Sequence, residues 1–257
     1  SSPVTWLSNV TYRKVDSILD EIEMLSSRYS VKEIFFTDDT MNADKKWFFE
    51  LCDGLIKSGF SNKIFFKAPF RVNKGILHED ILRKAKEANF WMLFYGVESG
   101  NQAMLDSMRK GIRIDEVKRA FTLTSGIGIK TLAAFILGCP GETHDSIKDT
   151  MNLIKEIKPD FGGVSVAIPF PGSELHSEVS KLGLSGIDVC SGDFSKSIIR
   201  TEQLTNQQLE KYAPSLGAGP VREHNIAGCV IAGDKNLFTF KAKFRRKTNR
   251  LAGSVLE

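Results

Sequence analysis

Apolar residues recur along this chain in two alternating rhythms, one at helical spacing and one in short runs. Ile18, Ile22 and Leu25 mark a helix, and residues 31–36 follow as a buried strand ending at Thr37-Asp38-Asp39. Phe48, Leu51 and Leu55 mark the next helix, closed by Gly59, and residues 63–68 read as a strand. Ile81, Ala85 and Ala88 precede a strand over 91–96. Val117 and Phe121 lie on a helix ending at Ser125-Gly126, before a strand over 131–137. Ile147, Met151 and Ile154 share one face of a helix that Thr143 is placed to cap, and residues 161–168 form the last clear strand.

Five strands separated by helices predict an α/β fold with a parallel sheet, as an open or partial barrel. Such an alternation normally opens with a strand, whereas this one opens with a helix preceded by Ser1-Ser2-Pro3-Val4-Thr5-Trp6. The expectation is a fragment whose first strand and loop lie upstream, leaving a bare sheet edge and a marginally stable or aggregating fold. Beyond about residue 185 the rhythm fades into Gly and Ser, with one short helix over 204–212. Residues 1–185 are therefore read as the barrel and 186–257 as a C-terminal extension.

A chain of 257 residues with 42% hydrophobic content is enough for one large core. No apolar run approaches the roughly 20 residues that span a bilayer, and the chain reads as a soluble cytoplasmic protein. Its cysteines, Cys52, Cys139, Cys190 and Cys229, are too scattered for a close-spaced metal cluster and suit a reducing compartment. The net charge of +4 falls entirely in residues 201–257, so the body is balanced and gives no electrostatic case for nucleic acid. The run Lys241, Lys243, Arg245, Arg246, Lys247, Arg250 is either a solvated tail or a surface for RNA.

Three polar, Gly-rich phrases close predicted strands: Tyr95-Gly96-Val97-Glu98-Ser99-Gly100, Phe135-Ile136-Leu137-Gly138-Cys139-Pro140-Gly141-Glu142-Thr143, and Ile168-Pro169-Phe170-Pro171-Gly172-Ser173. In a repeating strand–helix fold the carboxyl ends of the strands open onto one face, so the three phrases describe one composite site for a cofactor.

Taken in order with Phe36-Thr37-Asp38-Asp39-Thr40, Arg71-Val72 and Lys110-Gly111, these phrases resemble the radical S-adenosylmethionine (SAM) superfamily. The likeness is greatest to the branch that often carries a cobalamin-binding domain, and it covers residues 1 to about 185. It implies a partial (β/α)6 radical SAM barrel lacking its first strand. It also implies reductive cleavage of SAM by a 4Fe-4S cluster, radical chemistry on a substrate at the barrel mouth, an electron donor such as a flavodoxin or ferredoxin, and cobalamin as a possible further cofactor of the parent protein. The family holds its cluster with three cysteines spaced CxxxCxxC. This chain has no such triplet, so the cluster ligands are expected upstream of Ser1, and the fragment is expected to be inactive alone.

The resemblance also assigns roles. Asp38 and Asp39 match the turn that meets the methionyl ammonium, a role in competition with capping the next helix, for which Asp44 is the nearby rival. Glu98 and Ser99 match the position that reaches the ribose hydroxyls or the methionine end; the alternative for Glu98 is an ion pair with Arg71 or Lys67. Lys110 matches a basic position near the SAM carboxylate, or forms a solvated pair with Arg109. Gly138 and Gly141 match small residues that let adenine approach the backbone, Pro169 matches an apolar turn beside adenine, and Glu142-Thr143 starts a helix, with capping an equal alternative. Cys139 has no histidine nearer than His144 to activate it, and His78, His144, His176 and His224 share no ligand spacing. An ordinary barrel hydrolase or aldolase is disfavoured, because no catalytic lysine or histidine set ends these strands. The remaining alternative is a noncatalytic fragment that binds SAM or serves as an interaction module.

Overall fold

The computed structural model describes residues 11–181, 200–216 and 229–232. In chain order they form α1 (Val15–Tyr29), β1 (Glu33–Phe36), α2 (Lys45–Lys57), β2 (Phe65–Phe70), α3 (Glu79–Glu87), β3 (Phe90–Glu98), α4 (Gln102–Ser107), α5 (Ile114–Gly126), β4 (Lys130–Leu137), α6 (His144–Ile157), β5 (Phe161–Val166), α7 (Glu174–Lys181), α8 (Asn206–Leu216) and β6 (Cys229–Ala232). The sheet order is β5-β4-β3-β2-β1-β6, every neighbouring pair is parallel, and β1 to β5 curl into a half-barrel.

Parallel strands need long crossovers, which the apolar helix stripes supply. Val15, Ile18, Ile22 and Leu25 bury one face of α1, and Phe48, Leu51, Cys52 and Leu55 one face of α2. Gly54 is where the two helices touch: a Cβ there would lie 2.8 Å from Leu19 Cδ1. Asp44 caps α2 by accepting the Trp47 N–H at 2.9 Å. The helix-facing side of the sheet is aromatic. Phe48 meets Phe70 edge-on at 5.2 Å between ring centres and lies 5.5 Å from Phe90, while Tyr95 packs against Phe121 and bonds Thr124 through its hydroxyl.

Strand alternation sends the other residues into the concave side. There Glu33 pairs with Lys67 at 2.5 Å and accepts the Trp91 indole N–H at 2.9 Å, beneath a stacked Phe35–Phe94 pair at 4.7 Å. Gly96 and Glu98 continue this line up β3 to its carboxyl end.

All five predicted strands are present, with shifted bounds. β2 begins and ends two residues later than predicted, running through Pro69, and β5 stops at Val166, because Ile168-Pro169-Phe170 folds into a tight turn in which Phe170 N–H reaches the Ile168 carbonyl at 3.0 Å. The bare edge expected beside β1 is occupied: β6 pairs with it over Glu33↔Cys229 to Phe36↔Ala232. The C-terminal helix over 204–212 forms as α8, which packs against β5 and α6. The basic run 241–250, Cys190 and His224 lie outside the described residues.

Candidate cofactor site at the carboxyl ends of the strands

The ends of β1 and β2 are tied together by a residue the sequence did not single out. Asn42 is 1% exposed; its amide donates to the Arg71 carbonyl at 3.0 Å and its oxygen accepts the Arg71 N–H at 2.9 Å. Met41 N–H adds a bond to the Pro69 carbonyl at 2.9 Å. This clamp leaves Asp38 and Asp39 exposed on the loop between. Capping of α2 belongs to Asp44, so neither aspartate is used for it. Crowding by surrounding protein raises the Asp38 carboxyl above the ordinary range; its backbone hydrogen bond and Arg13 oppose the shift, and Asp39 adds to it.

At the end of β3 the register to β4 skips from Gly96↔Ala134 to Glu98↔Phe135, and Glu98 takes a left-handed backbone with φ +67°. That conformation is strained for a residue with a side chain, and such strain gathers at functional positions. Glu98 pairs with Lys110 at 2.5 Å, with the two side chains 15% and 29% exposed. Neither partner foreseen for Glu98 takes that place: Lys67 is held by Glu33, and the Arg71 guanidinium donates to the Lys110 carbonyl at 2.9 Å. Arg109 pairs with Glu174 at 2.9 Å, so it is not the companion of Lys110. A Cβ on Gly96 would stand 2.7 Å from Glu98 Oε1 and 3.0 Å from Lys110 Nζ, so the ion pair requires glycine beneath it.

Ser99 turns inward. It is 1% exposed, lies 3.4 Å from the Thr150 hydroxyl, and its Oγ accepts the Asn101 N–H at 3.2 Å. With Gly100 N–H donating to Thr150 Oγ1 at 2.9 Å, it fastens the β3 end to α6.

After β4, Gly138 and Gly141 both have positive φ, +83° and +80°, and open a turn that ends at Glu142. The Glu142-Thr143 pair divides its labour. Thr143 caps α6 by accepting the Ser146 N–H at 3.1 Å, while Glu142 is buried and its Oε2 accepts the Gly138 N–H. Burial pushes the Glu142 carboxyl up to about 7, against the pull of the Gly138 and Cys139 backbone. Burial, with Glu142, Glu98 and Glu178 nearby, pushes the Cys139 thiol up to about 12, which leaves no thiolate nucleophile. Pro169 is buried at the end of β5 beside exposed Phe170.

The ends of β3, β4 and β5 thus place Glu98, Lys110, Gly138, Gly141 and Pro169 on one rim. The radical SAM superfamily profile matches residues 4–154, more than half of the chain. The chain belongs to the radical SAM superfamily. It is 29% identical over 161 residues to an uncharacterized methyltransferase of Pyrococcus horikoshii, covering 63% of this chain and 34% of the relative. It is 29% identical over 167 residues to the anaerobic magnesium-protoporphyrin IX monomethyl ester cyclase of Rubrivivax gelatinosus, covering 65% and 30%. The chain spans about a third of the length of these curated relatives. Its fold matches that of the radical SAM methyltransferase TsrM from Kitasatospora setae, solved with cobalamin and a 4Fe-4S cluster bound, with a TM-score of 0.60, 18% identity, and coverage of 68% of this chain and 32% of that one.

Radical SAM proteins use SAM and a 4Fe-4S cluster, and the two groups fit these residues differently. Among the described residues no three His, Cys, Asp or Glu side chains come together to hold a metal, and Cys52 is buried within α2. These residues do not hold a cluster. SAM carries an ammonium, a carboxylate, a ribose diol and an adenine, and the rim offers a carboxylate, a lysine and glycine backbone to meet them. Among the described residues no helix is long and apolar enough to cross a membrane.

Proposed function

We propose that this chain is the SAM-holding core of a radical SAM enzyme, acting on a substrate at the carboxyl ends of its strands. Bound together, SAM and a 4Fe-4S cluster supply radical chemistry through reductive cleavage of the sulfonium. The Glu98–Lys110 pair over Gly96 carries the reading, because it presents an acceptor and a cation side by side on strained backbone at the rim. Glu98 accepts from the ribose hydroxyls or the ammonium, Lys110 meets the carboxylate, and Asp38 and Asp39 add acceptors across the mouth. Gly138 and Gly141 leave the backbone open to adenine, with Pro169 as its apolar neighbour. In the whole protein an electron donor such as a flavodoxin or ferredoxin would serve the cluster, cobalamin is a candidate further cofactor, and RNA would be met only through residues 241–250.

The test is calorimetric titration of the full chain with SAM. Saturable binding that weakens at least tenfold in Glu98→Gln and in Lys110→Ala is the expected result; the absence of binding, or binding indifferent to both changes, overturns the reading. A second reading, a SAM-binding or interaction module without catalysis, is favoured by the lack of a cysteine triplet among the described residues. Anaerobic reconstitution, with iron and sulfide, of a chain extended upstream of Ser1 separates the two: cluster absorption with release of 5′-deoxyadenosine supports the enzyme, and the absence of both supports the module.

A further inference from the structure

Among the described residues, one buried side-chain polar atom has no hydrogen-bond partner: Oε1 of Glu142. Native interiors rarely leave such an atom unpaired, and those that remain ask for an explanation. Glu142 is 1% exposed. Its Oε2 reaches back across the turn to the Gly138 N–H, its own N–H donates to the Cys139 carbonyl at 3.0 Å, and its carbonyl accepts the Thr201 hydroxyl at 3.0 Å.

Among the described residues, no cation acts on Glu142 to balance a charge. The turn itself contributes Cys139, whose thiol stays protonated; β3 contributes Glu98 and α7 contributes Glu178, both acids that act on Cys139. From α6 and its cap come the neutral hydroxyls of Ser146 and Thr143, and from the stretch before α8 comes the neutral Thr201. Lys110 is committed to Glu98. An ionised Glu142 would place a bare negative charge at Oε1 in this enclosure, whereas the neutral acid leaves only an unbonded hydroxyl.

We propose that Glu142 is a proton-operated latch: as the neutral acid it pins the Gly138–Glu142 turn in the shape that receives the adenosyl end of SAM, and on losing its proton it turns toward water and frees the turn. Glu142 is a positioning residue in this scheme. It acts through the Gly138 amide, and the reaction at its carboxyl is release of one proton. The left-handed Gly138 and Gly141 give the freed turn room to change shape, since a glycine passes between backbone regions without a Cβ penalty. The latch rests on the burial and bonding of the turn, and only its coupling to ligand rests on the proposed SAM reading.

The experiment has two readouts on the full chain. The first follows the carbon-13 shift of the Glu142 carboxyl with pH, assigned by its loss in Glu142→Gln, together with hydrogen exchange at the Gly138 amide. A midpoint within about one unit of neutrality, with Gly138 protection falling through the same range in the wild type but not in Glu142→Gln, is expected. A midpoint in the ordinary carboxylate range overturns the latch. The second measures SAM affinity from pH 6 to 8.5. Wild-type affinity is expected to fall toward tenfold per pH unit above the midpoint while Glu142→Gln keeps its pH 6 value; a flat wild-type profile, or a variant that tracks the wild type, overturns the coupling. Failure of SAM to bind at any pH, with the carboxyl still titrating near neutrality, sinks the SAM reading and leaves the latch standing.

Discussion

The carboxylate of Glu98 and the ammonium of Lys110 meet at 2.5 Å in the space that a side chain on Gly96 would fill. Gly96 is not left-handed, so alanine there brings no backbone penalty, only a clash with the flexible ends of two side chains. Gly96→Ala is expected to move the ion pair and weaken SAM binding at least tenfold while changing stability by less than about 1 kcal/mol. Calorimetry beside a urea denaturation curve tests both halves.

Gly100 sits in the opposite situation. A Cβ on it would lie 2.5 Å from Thr150 Cα and 2.7 Å from the Asp149 carbonyl, both backbone of α6. Backbone cannot swing away, so Gly100→Ala should destabilise the fold by about 1–3 kcal/mol, with a lower urea midpoint.

The Asn42 side chain makes two bonds to the Arg71 backbone from a nearly solvent-free position. Asn42→Ala strands a carbonyl and an N–H and should cost on the order of 2–4 kcal/mol. Asn42→Asp keeps the acceptor but loses the donor, so its midpoint should fall between alanine and wild type.

Stability should also depend on pH through Glu142, whose carboxyl rises from an ordinary 4.5 to about 7 in the fold. A raised folded value means that the native state holds the proton more tightly than the unfolded chain. The stabilisation is therefore complete below pH 4.5, declines as pH climbs toward 7, and is gone above it. The decline is on the order of 3 kcal/mol. Glu142→Gln should remove this part of the slope and be the more stable protein at pH 8, as urea curves between pH 5 and 8 would show.

The sequence made the strand–helix order legible because each buried helix face and each short apolar run answers to one dominant force. Phe48, Leu51 and Leu55 on α2, or Leu132 to Leu137 within β4, report it without tertiary knowledge. The rim residues were legible as types at strand ends, but not their partners. The ion-pair alternative for Glu98 named Arg71 or Lys67 across neighbouring strands, yet the bulge after Gly96 and its own left-handed backbone turn it to Lys110, twelve positions onward. Neither turn is encoded by periodicity. Asn42 escaped notice, and Glu142 was read only as part of a helix start or cap, because their roles lie in bonds to backbone, which any polar residue type can make. The available signals were Met41, an apolar residue inside a polar loop, and an acid placed between Gly141 and the Thr143 cap.

The pairing of β6 with β1 joins Glu33 to Cys229, residues 196 positions apart. A ribosome adding about 5–20 residues per second needs roughly 10–40 s to bridge that interval. Through that time β6 is not there to cover the outer edge of β1, and an apolar Ile34-Phe35-Phe36 edge invites pairing with other chains. The vulnerability this pairing creates is therefore one of timing: β1 is made 196 positions before the strand that pairs with it, and a chaperone that shields the edge in between should raise the yield of folded chain more than any change that strengthens the finished core.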